Sequence, residues 1–301
     1  MAEEQEKELP YIEFVKQLYV EQGFYHITPL HDGRMAGSPR CEHYFGIYNP
    51  DNKGHREIKI DTNGGELDKI AELENGNLVV SSRDDKKIRL YSIAEESYKF
   101  LGEAPCSNRE TVALSNNRVA VYDDSRKIEI YDCNLPLKEK PIMTLNADTK
   151  INCILELKGQ NKLCIANGTF LHVFDLSDGK LLFKIEDIAD FDCRSIEQVD
   201  DERVILSASF GRVILVNVKE GKVLLIKKFT EKQYEGIRTI LKMKDDIFLV
   251  GLDDKLAFLN IKTFTWRDAG NLARATKFQF FDEKYLFVIV GDECYLYEYH
   301  L

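Results

Sequence analysis

No two cysteines of the chain stand in C-x-x-C spacing, no phosphate-binding glycine loop occurs, and the longest apolar runs, such as residues 286–290, are short. Each absence removes a class of function. Membrane insertion by a helix needs about 20 apolar residues, so none is expected. The seven cysteines, Cys41, Cys106, Cys133, Cys153, Cys164, Cys193 and Cys294, are odd in number, and several lie inside apolar strand patterns such as Leu163-Cys164-Ile165. They read as small buried hydrophobes of a reducing compartment and not as a disulfide framework. Positive charge is also short: 41 Lys and Arg stand against 51 Asp and Glu, a net −10. A nucleic-acid binder usually shows a basic balance, so no nucleic-acid partner is expected, and a partner with a basic segment is the easier electrostatic fit. The stretch 1–9 is charged and has no apolar core of a secretory signal. These features place the chain in the cytoplasm, with the nucleus as the alternative.

Residues for chemistry are equally sparse. Of six histidines, four fall in the first 55 residues. His26, His31, Cys41 and His43 are zinc-ligand types, but their spacing fits no zinc motif, and turn or surface positions are the better reading. Asp84-Asp85, Asp123-Asp124 and Asp253-Asp254 could ligate a hard cation, as in a metal-assisted hydrolase, yet they recur where a turn is due and Asp suits turns for backbone reasons. Gly64-Gly65 is a lone pair, and Asn167-Gly168-Thr169 reads as a turn and not as a glycan acceptor. No catalytic residue, no metal and no cofactor is expected.

What is there is a repeat. A short alternating strand ends in a large apolar residue followed by a small polar or acidic one. The instances are Tyr48-Asn49, Tyr91-Ser92, Tyr131-Asp132, Phe174-Asp175, Val216-Asn217, Leu259-Asn260 and Tyr297-Glu298, at intervals of 43, 40, 43, 42, 43 and 38 residues. A period of about 40 is that of a four-stranded propeller blade. Each unit also shows a first strand, an Asn/Asp/Gly turn such as Asn75-Gly76 or Asn116-Asn117, and a second strand apolar on both faces, such as Val204-Ile205-Leu206. The fourth strand is shorter and more polar, as an outer edge should be. The expected fold is all-β: a seven-bladed β-propeller of four-stranded antiparallel blades over residues 24–301, preceded by an N-terminal segment 1–23. These endings are where the sequence resembles the WD-repeat superfamily, in degenerate form, since no unit ends in Trp-Asp. That resemblance implies a non-catalytic scaffold or substrate receptor with protein or peptide partners.

The last unit ends with its third strand, so its outer strand must come from the N-terminus or be missing. Residues 11–20 read better as a helix than as that closing strand: Phe14, Val15, Leu18 and Tyr19 fall at helical spacing, between Pro10 and Gly23.

The site expected to bind is a set of arginines. Five positions before the residues that end three first strands (Leu114, Val199, Met243) stand Arg109, Arg194 and Arg238. These strand starts belong to one face, near the mouth of the channel. Arg offers planar, multidentate donors for carboxylate or phosphate. The competing reading is that each Arg braces an acidic turn of its own or the next blade. Arg83, Phe210 and Asp253, in turns of the same face, and Tyr234, in an inter-blade loop there, complete the candidate partner-binding surface. Trp266, the only tryptophan, falls in an outer strand and covers a blade edge or anchors a partner at the rim. The alternatives to a face-binding platform are a structural subunit of a large cytoskeletal or trafficking assembly and the metal-assisted hydrolase.

Overall fold

The computed structural model describes residues 10–18, 26–39, 42–49, 56–62, 66–82, 84–106, 110–122, 126–148, 150–167, 169–186, 193–229, 236–281, 283–291 and 293–301. They form seven four-stranded sheets, each antiparallel throughout, and no helix occurs among them. Blades 1 to 7 begin with the first strands His26–Pro29, Leu67–Glu72, Glu110–Leu114, Cys153–Leu157, Cys193–Gln198, Ile237–Lys244 and Lys277–Phe280. In blades 1 to 6 the strands lie in chain order from the first, which packs against the first strand of a neighbouring blade around the axis, to the fourth at the rim; in blade 7 only the first three do.

The apolar second and third strands explain the ring. A blade buries both faces, and its side chains sort alternately to the blade before and the blade after. Seven hydrophobic clusters result, each joining two consecutive blades. Between blades 2 and 3, for example, Leu73, Val79 and Leu90 meet Val119, Val121 and Tyr131. The last cluster closes the circle: Phe287, Cys294 and Leu296 of blade 7 pack on Ile27, Met35 and Tyr48 of blade 1.

The repeated sequence signature has a physical cause in this setting. Its large apolar residue is buried in all seven blades. In blades 3 to 6 the polar residue accepts backbone N–H groups and turns the chain into the fourth strand. Asp132 Oδ1 accepts from Asn134 N at 3.0 Å, and Asp175 Oδ1 from Ser177 N at 2.7 Å. Asn217 Oδ1 accepts from Lys219 N at 2.9 Å and Glu220 N at 2.8 Å; Asn260 does the same with Lys262 and Thr263. These are Asx turns, which Asn and Asp favour. Asn167 likewise accepts from Thr169 and Phe170, so the apparent glycan sequon is a turn.

The face that carries the turns between first and second strands is latched from blade to blade. A residue at or near the end of a first strand reaches back to the turn of the preceding blade. Glu72 Oε2 accepts from His31 N at 2.8 Å, Glu156 Oε2 from Ser115 N at 2.6 Å, and Gln198 Oε1 from Lys158 N at 2.8 Å. Arg118 joins Glu156 at 3.2 Å with both side chains largely buried. In blade 6 the same position is Lys242, which donates to Val199 O at 2.5 Å. This ladder ties each of these blades to the one before it, by a charge-assisted bond at Glu72, Glu156 and Lys242 and a neutral one at Gln198.

The N-terminal helix expected from the sequence is not formed. Tyr11–Leu18 is a strand, paired antiparallel to the third strand of blade 7, Glu293–His300, and supplies that blade's outer edge. A β-bulge explains the misreading. Phe14 pairs with Tyr297, but Lys16 pairs with Leu296, so Val15 is the extra residue. Before the bulge the strand faces blade 6, and Ile12 joins Phe258 and Tyr297. After it the strand faces blade 1, and Leu18 joins Ile27 and Met35. A one-residue slip flips the side chains to the other face, which gives the apolar positions a spacing that imitates a helix.

Six of the cysteines, Cys106, Cys133, Cys153, Cys164, Cys193 and Cys294, are buried free thiols. Burial pushes the thiols of Cys133, Cys164 and Cys294 up to about 12, far from the reactive range.

Candidate functional site

The starts of the first strands lie on the face opposite the latched one, together with the turns between second and third strands. Three of these starts carry a bulge at the position singled out in the sequence. Register shifts fall between Leu67 and Lys69, between Cys193 and Ser195, and between Ile237 and Thr239. The extra residues are therefore Asp68, Arg194 and Arg238. A bulge re-aims its side chain out of the regular alternation, and at these points it re-aims two arginines of adjacent blades.

Arg194, Arg238 and Asp253 come together. Asp253 sits in the turn between the second and third strands of blade 6. Its Oδ1 accepts from Arg238 Nε at 2.5 Å, and its Oδ2 accepts from the backbone N–H of Gly236 at 2.5 Å. Arg194 crosses from blade 5 to the same place. A Cβ at Gly236 would stand 3.1 Å from a terminal nitrogen of Arg194 and 3.5 Å from Asp253 Oδ2. Gly236 thus leaves the space that the Arg194 guanidinium fills, a role for which the sequence shows no signal. Arg238 is held, with 32% of its side chain exposed in the ion pair. Arg194 is exposed and makes no ion pair with a described residue. The two readings of the arginines therefore divide: Arg238 braces its own blade and Arg194 faces solvent.

Blade 2 repeats the device without the arginine. Asp84 Oδ2, in its turn between second and third strands, accepts from Glu66 N at 3.0 Å, as Asp253 does from Gly236. Asp85 is paired with Arg89, whose guanidinium holds the carboxyl below the usual range against the opposing effect of burial. Asp84, Asp85 and Asp253 are thus committed to backbone and arginine partners, as the turn reading of the acidic pairs expects, while Asp123 and Asp124 lie outside the described residues. Among the described residues no group of three or more His, Cys, Asp or Glu gathers as metal ligands do.

Phe210 occupies the corresponding turn of blade 5 and is half-buried, with φ +60° followed by Gly211 at +64°. A bulky residue in the left-handed region is a strained choice, costing on the order of 1 kcal/mol. Trp266 stands on the outer strand of blade 6, its ring 5.7 Å from Phe229 of blade 5, and so covers the seam between two blades. Arg83, Arg109 and Tyr234 lie outside the described residues.

The fold and this geometry define a seven-bladed β-propeller with an arginine-bearing face around its axis. No family model matches the chain, and no curated protein matches it.

Proposed function

We propose that the protein is a non-catalytic interaction platform of WD-repeat type, working in a reducing cytoplasmic compartment, and that the bulged face binds an acidic or phosphorylated protein segment. The reading rests on Arg194: a bulge aims it outward, Gly236 makes room for it, and it has no ion pair among the described residues. A rigid ring presents such a group with little ordering cost on binding. The buried free thiols fit the compartment. Asp84, Asp85 and Asp253, being committed to partners within their blades, lend the hydrolase alternative no support, and the net −10 argues against a nucleic-acid partner.

The test is a fluorescence-anisotropy titration with peptide pools of acidic, phosphorylated, neutral and basic composition. The acidic or phosphorylated pool is expected to bind, and Arg194→Glu to weaken it tenfold or more, as removal of a charge-assisted contact should. Binding only of the basic pool, or equal binding by Arg194→Glu, would sink the reading. Arg238→Ala has a different signature. It should lower stability by about 1 kcal/mol in urea unfolding, because it takes one partner from a partly exposed ion pair.

A second reading, the structural subunit of a larger assembly, has its own observation. Phe14, Phe100, Leu135 and Ile226 are 58, 49, 57 and 47% exposed on different blades toward the rim. It expects cross-links to a partner from the outer strands and none from the arginine face.

A further inference from the structure

One outer strand is unlike the others. The fourth strand of blade 5, Lys222–Lys228, reads Lys-Val-Leu-Leu-Ile-Lys-Lys. Of the five outer strands that are six residues or longer, it alone lacks a carboxylate, in a chain of net charge −10. It is a sheet edge, and Arg212–Asn217 is its one hydrogen-bonded neighbour among the described strands. Leu224 and Ile226 are 41 and 47% exposed, with Lys222, Lys227 and Lys228 exposed beside them. Lys222 pairs with Glu220, but Lys227 makes no ion pair with a described residue. The Lys227 ammonium lies 5.8 Å from the ring centre of Phe264 and 6.0 Å from that of Phe229, and donates to Phe264 O at 3.4 Å. Register sorts the two flanks of the edge. Ile226 pairs with Ile214, which packs between blades 4 and 5, so Ile226 turns toward blade 4. Lys227 pairs with Val213, which packs between blades 5 and 6, so Lys227 turns toward blade 6 and the aromatic wall of Phe229, Phe264 and Trp266. A bulge makes Leu224 an extra residue, and regular pairing resumes at Leu225.

We infer that an extended acidic segment of a partner protein adds to this edge as a fifth strand of blade 5, along residues 225–228, with acidic side chains on the flank of Lys227 and apolar ones on the flank of Ile226. A sheet edge offers unpaired N–H and C=O groups to an incoming strand, and alternate side chains then read the two flanks. Charge selects what enters. Like charges directly opposite one another repel across a strand pair, and opposite charges attract. A second copy laid strand to strand would set lysine against lysine, as edge lysines do to prevent self-association, whereas an acidic strand finds each lysine a partner. An anionic membrane is the poorer fit: it would meet the field of the whole acidic chain, while a single segment lies within a Debye length of this strand. The docking edge rests on the rim reading given above and does not involve Arg194.

The probe is a peptide of about ten residues in which Glu and Val alternate, added to the whole chain and read by backbone hydrogen exchange. Exchange across residues 225–228 is expected to slow saturably, about tenfold or more, while the outer strands of the neighbouring blades, Leu181–Ile185 and Thr265–Gly270, stay unchanged. The same peptide N-methylated at every residue keeps its side chains but loses its donors, and should give no protection. A peptide of alternating Lys and Val should give none either. Lys227→Glu should raise the peptide concentration needed for half protection fivefold or more, because it turns an attraction into a repulsion. Lys227 is exposed and carries no ion pair with a described residue, so the variant is expected to fold with an unchanged urea midpoint. Arg194→Glu should leave the protection of 225–228 intact, which keeps this edge apart from the bulged face. Equal protection by the N-methylated peptide, equal protection in Lys227→Glu, or none at 225–228 overturns the docking edge. So does co-sedimentation with phosphatidylserine vesicles in place of peptide binding, or a self-association that Lys227→Glu abolishes. Cross-links to a partner from other outer strands, with none from Lys222–Lys228, would overturn the docking edge and leave the rim reading standing.

Discussion

Replacing Leu18 by Ala should cost about 3 kcal/mol in urea unfolding, while Val15→Ala, three residues earlier, should cost less than about 0.5. Leu18 is 4% exposed and packs between blades 7 and 1 with Ile27, Met35, Phe287 and Leu296. Truncating a leucine so placed removes its transfer energy and leaves a cavity, together about 2.7–5 kcal/mol. Val15 is the extra residue of the bulge and is 42% exposed. Phe14→Ala should fall between them, near 1 kcal/mol, since Phe14 is exposed but meets Tyr297 edge-on with ring centroids 5.8 Å apart. The order Leu18, Phe14, Val15 belongs to the bulged strand. In an amphipathic helix all three would share one apolar face and cost alike, so near-equal losses would refute the closing strand. The position gives the substitution a second reading. This cluster is where the last blade meets the first, and its loss should open the ring there before the other six seams. Hydrogen exchange of the backbone N–H groups of residues 293–300 would show it.

How this blade closes was the one large feature that the sequence disguised. The other six blades were legible because the signals agree: a period near 40, polar turns at matching places, and strands apolar on both faces. Val119, Ala120 and Val121 have no solvent-facing alternative and are all buried. A bulge works against legibility. It is a property of register, visible only when two strands are paired, and it breaks the alternation from which strands are recognised. The same cause limited the site. Counting along the repeat found Arg194 and Arg238, because equivalent positions in a repeat fall at equivalent places in the ring. It could not show that bulges aim them, that Asp253 holds one and not the other, or that Gly236 leaves room for Arg194, since these depend on contacts across 42 or more residues of separation or on a turn that folds back on its own strand. Glu72, Glu156 and Gln198 were missed for a different reason. Each is a polar residue at the same repeat position, a signal that was present, but their latch becomes evident only beside the N–H groups they accept.

The two faces consequently differ in kind. On the latched face, side chains meet backbone groups of the neighbouring blade, and Arg34 donates across the seam to Ala94 O and Glu95 O at 3.1 Å each while also pairing with Asp32. Binding there would have to break bonds that hold the ring together. On the bulged face Asp84, Asp85 and Asp253 are satisfied within the blade, and Arg194 has no ion pair among the described residues. A platform needs this division, with rigidity supplied from one side and unspent donors on the other.

Glu197→Gln should stabilise the protein by up to about 3 kcal/mol at pH 8 and leave it unchanged at pH 4. Glu197 lies in the first strand of blade 5, one residue before the latch residue Gln198, and makes no ion pair with a described residue. Burial raises its carboxyl to about 7, against the pull of Lys158, the Gln198 N–H and Lys242. The sign follows from which state holds the proton. Between pH 4.5 and 7 the unfolded chain has lost it and the folded chain keeps it. The folded state therefore binds more protons, and stability falls as pH rises through that window, by about 1.4 kcal/mol per unit. Above the window the native protein carries a desolvated carboxylate at a standing cost. Glutamine matches the neutral acid in shape and cannot ionise, so it removes both the cost and the slope. Urea unfolding at pH 4, 5, 6, 7 and 8 decides the matter. The difference between the two proteins should grow from zero to its full value across the window. A constant difference at every pH would mean that Glu197 keeps an ordinary acidity, and that its carboxylate is as well hydrated in the ring as in the open chain.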